Sequence, residues 1–234
     1  MEYLTPRFAL TDLSRVNVVL GKNGCGKSSM LTYLESTISG ENIGQRRYIT
    51  PERGGTLLYE PSVENTMSSN PTWLQDTRRV NQFGQFKQQT AAEYRRLEQL
   101  VHRAAEKENR VSDFQEYVDS INSLLDNIEI RRETATFRPY RRGTETPIPL
   151  HQISSGESEL ITLAIELLVF KITREKGKDN VLLLDEPDVH LHPDLQYRLM
   201  SFLRDMEGYA KLLVKKYSPI AAPKEERNVL SGLR

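Results

Sequence analysis

The string Gly21-Lys22-Asn23-Gly24-Cys25-Gly26-Lys27-Ser28 lies between a β-branched run, Val16-Asn17-Val18-Val19-Leu20, and a helical pattern from Lys27 to Ser36. A strand, a glycine-rich turn and a helix in immediate succession commit this part of the chain to an α/β layer. Side-chain bulk is missing at Gly21, Gly24 and Gly26, so backbone N–H groups can close around an anion at the helix N-terminus. The helix dipole favours negative charge at the same place. Lys27 adds a positive charge for β- and γ-phosphates, and Ser28, followed by Ser29, offers a hydroxyl to a magnesium ion. Residues Gly21, Lys22, Asn23, Gly24, Cys25, Gly26, Lys27, Ser28 and Ser29 are therefore the candidate nucleotide-binding set.

A second string, Val181-Leu182-Leu183-Leu184-Asp185-Glu186-Pro187, ends an unbroken apolar run in two acids. Runs of this kind are buried parallel strands, and open α/β sheets bind ligands at the carboxyl ends of their strands. Asp185 is the candidate magnesium ligand opposite Ser28, acting through water, and Glu186 the candidate catalytic base for an attacking water. A third string, Ile153-Ser154-Ser155-Gly156-Glu157-Ser158-Glu159-Leu160, reads as a capped turn opening an apolar helix that reaches Lys171. Serine oxygens accept from orphan amides there, and glutamates occupy the first turn.

Composition excludes several classes. Against 32 Lys+Arg stand 32 Asp+Glu, so the formal net charge of +0 advertises no polyanion partner, although a neutral total leaves room for a basic face. No stretch approaches the ~18 consecutive apolar residues of a membrane span. Met1-Glu2-Tyr3-Leu4-Thr5-Pro6 has no basic segment leading into an apolar core, so a secretory leader is not expected either. A single cysteine, Cys25, excludes an internal disulfide and a cysteine metal cluster. These features predict a cytoplasmic protein without a membrane partner.

The remaining chain reads as follows. A Gly-, Pro-, Ser- and Asn-rich stretch from Ser39 to about Pro71 holds one expected strand, Thr56-Leu57-Leu58-Tyr59. Tyr94, Leu97 and Val101, then Val111, Phe114, Val118, Ile121, Leu125 and Ile128, step by three and four. That spacing predicts two amphipathic helices between Gln88 and Ile130 with a break near Asn109, and it also fits a short coiled-coil hairpin. Thr134 to Leu150 is expected to form a β-hairpin or loop, Tyr197 to Met206 a helix, and Lys211 to Val214 a last strand. The tail from Ala221 to Arg234 carries little core material.

The order of the three strings resembles the ABC-type ATPases, with Ser155-Gly156-Glu157 where that family has its signature motif. Asp188-Val189-His190-Leu191-His192-Pro193 resembles the D-loop of one branch: the structural-maintenance-of-chromosomes (SMC) and RecF-like ATPases, the overcoming-lysogenization-defect (OLD) proteins and related AAA-type bacterial ATPases. Transporter ATPases usually carry a different D-loop. The resemblance implies an α/β P-loop fold of ABC type, with a mixed parallel sheet and an inserted helical, short coiled-coil-like segment. Residues 1–84 would form an N-terminal ATPase lobe, 85–132 the helical insertion and 133–234 a C-terminal lobe. It further implies ATP and Mg2+ as cofactors and a homodimer, or higher homo-oligomer, in which two heads sandwich two ATP molecules. Ser154, Ser155, Gly156 and Glu157 would act in trans on the γ-phosphate, with Asp188, His190 and His192 in the D-loop.

Two departures from the family pattern bear on activity. The last core strand is typically followed by T-H-S-P, whose histidine senses the γ-phosphate, whereas here Tyr217 stands in the histidine's place within Lys215-Lys216-Tyr217-Ser218-Pro219. A phenol donates a hydrogen bond but does not become cationic near neutrality, which leaves open slow hydrolysis or an ATP-bound resting switch. The Q-loop glutamine is not assigned either; Gln45 is the nearest to Tyr48-Ile49-Thr50-Pro51-Glu52-Arg53-Gly54-Gly55. Two functions stay open: an ATP-gated dimeric ATPase in DNA maintenance or anti-phage defence, and an ATP-dependent scaffold that hardly turns ATP over. Since no nuclease-like segment follows, a nuclease or toxin effector is expected on a separate polypeptide. Nucleic acid is a further candidate partner. Arg131, Arg132, Arg138, Arg141 and Arg142 either contact phosphates or form a solvated face balanced by helical acids. Trp73, Phe83 and Phe86 either stack bases or pack, and His190 with His192 lacks further metal ligands.

Overall fold

The computed structural model describes residues 3–4, 9–10, 15–20, 26–50, 61–70, 89–109, 111–134, 136–149, 152–188, 191–206, 211–215 and 228–231. The chain divides into two compact units. One comprises residues 1–51, 174–189 and 200–234, and the other residues 52–173 and 190–199.

The first unit is built on a sheet whose strands are β3 (Val16–Leu20), β4 (Ile43–Ile49), β7 (Asp179–Asp185), β8 (Lys211–Lys215) and β9 (Asn228–Ser231). They run in the order β4-β7-β8-β3-β9 and every pairing is parallel. A separate antiparallel pair, β1 (Tyr3–Leu4) with β2 (Ala9–Leu10), precedes them. Helix α1 (Lys27–Thr37) presents Met30, Leu31, Leu34 and, just beyond its end, Ile38 to Val19, Tyr48, Val181 and Leu183. The three- and four-residue spacing of those side chains lays one apolar stripe on the sheet. Strand β7 is buried from Asn180 to Asp185, as an unbroken apolar run in a parallel sheet should be.

The second unit is mainly helical. Helix α2 (Pro61–Ser69) and helix α3 (Gln89–Lys107) pack together, and α3 packs in turn on α5 (Ser155–Thr173). Leu160 to Phe170 of α5 are buried on every side, so this helix is the unit's core rather than a surface element. Thr90 and Thr162 hydroxyls meet across α3 and α5 at 2.9 Å. Between them in sequence lie α4 (Gln115–Asn122) and the antiparallel hairpin β5 (Ile128–Arg132) with β6 (Phe137–Arg141). Tyr94 of α3 packs edge-on to Phe114 and, at 4.8 Å between ring centres, against Phe137. The last helix, α6 (Pro193–Met206), belongs to this unit up to Leu199 and to the first from Met200. Among the described residues no helix is long and apolar enough to cross a membrane.

Several sequence expectations are corrected. The Gly- and Ser-rich stretch after Ser39 contains β4 and α2, neither of which was expected. Strand β4 reads Ile-Gly-Gln-Arg-Arg-Tyr-Ile and has no regular alternation; its ladder with β7 makes it a strand. Helix α2 starts on Pro61, whose fixed φ suits a first helical position. The helical stepping does not extend to Ile128, which opens β5, and Val111 precedes α4 and is 90% exposed. Asn122 ends that helix: its side chain accepts from the N–H of Ile130 and donates to the carbonyl of the same residue. The tail, read from sequence without a strand, supplies β9, a four-residue edge strand paired with β3. The expected strand at 56–59, and Trp73, Phe83 and Phe86, lie outside the described residues.

Candidate nucleotide-binding site

Parallel pairing in the order β7-β8-β3 brings the carboxyl ends of β3 and β7 to one edge of the sheet, with β8 between them. The glycine-rich turn leaves β3 at that edge, and Asp185 ends β7 there, so topology alone gathers strings that the sequence separates widely. Residues 21–25 of the turn lie outside the described residues. Its last glycine, Gly26, is the N-cap of α1 with φ 90° and ψ 12°, a left-handed setting that costs a side-chain-bearing residue about 1–2 kcal/mol. Its carbonyl accepts the first helical hydrogen bond, from Met30, at 2.9 Å. Lys27 opens the helix and is buried to 3% exposure, while Ser28 is half-buried and Ser29 exposed. Lys27 thus stands in the first turn of α1, at the helix end where backbone N–H groups and the helix dipole favour an anion.

Asp185 is buried, and its Oδ2 accepts a hydrogen bond of 2.8 Å from the Tyr48 hydroxyl on the neighbouring strand β4. Burial, reinforced by the Asp185 charge and by their hydrogen bond, pushes the Tyr48 phenol far above its ordinary range, so it stays a neutral donor. The Tyr48 amide in turn donates to Glu35 Oε1 of α1 at 3.3 Å. Tyr48 was not singled out as functional from sequence, because only the register of β4 on β7 reveals that it stands beside Asp185. Glu186 follows in a left-handed conformation, φ 46°. Such a setting is rare for a residue with a long side chain and concentrates at functional positions, where surrounding structure holds it. The Ser28 hydroxyl and the Asp185 carboxylate, at the same edge of the sheet, are hard oxygen donors of the kind that suits magnesium.

The turn Ser154–Glu157 forms a reciprocal capping box. Ser154 Oγ donates to Glu157 Oε2 at 2.6 Å, the Glu157 amide donates to Ser154 Oγ at 3.2 Å, and the Ser154 amide donates to Glu157 Oε2 at 3.3 Å. Ser154 and Ser155 are exposed and Gly156 is buried. Asp188 is buried, and His192 lies in the open with Nδ1 3.5 Å from Asp194 Oδ2. Among the described residues no cluster of three His, Cys, Asp or Glu could hold a metal ion, and His190 lies outside them. Strand β8 ends at Lys215 opposite Asp185, and Tyr217, two positions on, is outside the described residues. Gln45 sits inside β4, where its amide donates to Asn180 Oδ1, and the segment 51–60 is not described.

The basic cluster is largely matched by acids and carbonyls. Arg131 bonds Glu129 and Glu145 and stacks over Tyr140; Arg132 pairs with Glu98, and Arg138 with Glu133. Arg142 donates to the carbonyls of Asn122, Leu125 and Asp126. This is the neutralised-face alternative of the two that the sequence left open.

Sheet, helices and the converging strand ends define an ABC-type ATPase head with an α/β P-loop fold. The solved SMC head bound to the C-winged helix domain of ScpA has the same fold, with a TM-score of 0.50 at 14% identity over 88% of this chain and 83% of that one. A family model described as "AAA domain, putative AbiEii toxin, Type IV TA system" matches residues 63–214, and the chain belongs to that family. It is also 21% identical over 244 residues to the Septu protein PtuA of Bacillus mycoides (strain KBAB4), a match covering 87% of this chain and 34% of that protein. The chain thus spans about a third of that relative's length.

Proposed function

We propose that this ATPase head closes head-to-tail with a second copy around ATP and serves as a switch in anti-phage defence or DNA maintenance, working with a separate nuclease or toxin effector. The observation that carries this reading is the convergence of Lys27, Ser28, Asp185 and Glu186 from the ends of β3 and β7. In this reading the turn 21–26 wraps the phosphates, Lys27 neutralises them, and Ser28 and Asp185 hold magnesium, Asp185 through water. A magnesium ion held by Ser28 and Asp185 would supply positive charge to offset that developing on the phosphates. Glu186 orients and deprotonates the attacking water. The exposed capping box at Ser154–Glu157 supports a role outside its own head, since a helix N-terminus open to solvent can receive the other copy's γ-phosphate. The toxin–antitoxin wording of the family description supports defence over DNA maintenance.

Glu186→Gln should bind ATP without hydrolysing it and should double in mass when ATP and magnesium are added, read by light scattering. A chain that stays monomeric with and without ATP overturns the sandwich. Tyr217 favours a second reading, a slow or non-hydrolysing scaffold, because a phenol replaces the histidine expected beyond the last core strand. Steady-state phosphate release decides between them: slow wild-type turnover that rises in Tyr217→His supports the scaffold, and fast wild-type turnover rejects it.

A further inference from the structure

Tyr48 lies on neither the glycine-rich turn nor the acidic pair, yet it is hydrogen-bonded both to Asp185 and to the helix that follows the turn. Its phenol donates to Asp185 Oδ2 at 2.8 Å and its amide donates to Glu35 Oε1 of α1 at 3.3 Å, while the Thr32 hydroxyl on the same helix donates at 3.0 Å to the carbonyl of Ser28. Tyr48, Asp185 and Glu35 are all buried, and Glu35 receives the Tyr48 amide, so both the backbone and the ring of Tyr48 are held. A carboxylate buried at a strand end needs donors to offset lost hydration, and a neutral phenol supplies one without adding a competing charge.

We propose that Tyr48 is a positioning residue for the magnesium site, fixing the Asp185 carboxylate from β4 and tying it to the helix that carries Ser28. The proposal rests on the reading of Ser28 and Asp185 as the magnesium ligands. Committing Oδ2 to one donor restricts the carboxylate to a single setting, so magnesium finds it preorganised. Outer partners that orient a metal's ligands typically contribute 10–100-fold to metal affinity or activity.

The test is binding of a fluorescent ATP analogue to the full chain across a MgCl2 titration and, separately, in EDTA. Tyr48→Phe keeps the ring and its packing and removes only the donor. It should raise the magnesium concentration for half-maximal nucleotide binding about 10-fold, leave binding in EDTA within about twofold, and shift Mn2+ dependence less than Mg2+ dependence. A Tyr48→Phe midpoint within about twofold of wild type overturns the proposal. Asp185→Asn separates the two readings. If Asp185→Asn shifts the magnesium midpoint and Tyr48→Phe does not, Tyr48 alone loses its role; if neither does, the magnesium-site reading falls and takes the proposal with it. Should Tyr48→Phe fail to fold, Tyr48→His, which keeps an N–H donor, takes its place. A midpoint closer to wild type than that of a donorless Tyr48→Leu supports the proposal, and equal midpoints overturn it.

Discussion

Glu186 carries its candidate role in a backbone setting that L-residues avoid, φ 46°, directly after a buried strand. Left-handed geometry costs about 1–2 kcal/mol for such a residue, and glycine escapes most of that cost while losing about 0.5–1 kcal/mol of chain entropy. Glu186→Gly should therefore leave stability unchanged or raise it by up to about 1 kcal/mol in urea unfolding, while abolishing ATP turnover. A clear loss of stability would instead make the Glu186 side chain part of the fold. The acidic pair itself was legible in sequence, because an apolar run ending in Asp-Glu has few other uses. The strain was not legible, since φ depends on how β7 ends against its neighbours. Tyr48 was invisible for a related reason: its partner Asp185 is remote in sequence and adjacent only through the β4–β7 ladder.

At the scale of elements, long periodic or uniformly apolar segments read clearly, and short polar ones did not. Helix α5 and strand β7 announce themselves by composition, and α3 by its stepping of apolar residues. Strand β4 does not, because its identity comes from a neighbour. Its start is clamped by Asn180, a buried amide whose Oδ1 accepts from the amides of Gln45 and Glu175 while its Nδ2 donates to the carbonyls of Glu175 and Lys178. The clamp also explains Gly44, where an added Cβ would stand 2.7 Å from Asn180 Oδ1. Asn180→Ala leaves several backbone groups without partners and should cost about 2–4 kcal/mol in chemical denaturation. A loss below about 1 kcal/mol would mean that water replaces the amide there. The junction of α4 and β5 follows the same logic, with Asn122 ending a helix whose apolar pattern runs on.

For the molecule as a whole, global stability at alkaline pH offers a test. Burial, with a lesser contribution from the Glu98 charge, raises the Tyr94 phenol far above its ordinary value near 10. The native state then keeps this proton after the unfolded chain has lost its own. Stability is thus fully present below about pH 10 and falls above it by about 1.4 kcal/mol per pH unit. Tyr94→Phe should flatten that alkaline limb and, because the buried Tyr94 hydroxyl has no hydrogen-bond partner among the described residues, cost little or nothing at neutral pH. Urea midpoints of both forms across pH 8–11 check it, and parallel limbs would reject the assignment. The sequence by itself determined the class of this protein: three strings of local chemistry, each readable where it stands, because phosphate cradles, buried strand ends and helix caps are set by neighbouring residues. Tertiary structure decided what no local window contains: the order β4-β7-β8-β3-β9, the use of the tail as an edge strand, and the pairing of Tyr48 with Asp185. Parallel ladders join segments remote along the chain, and which strand lies beside which emerges only when the sheet is assembled.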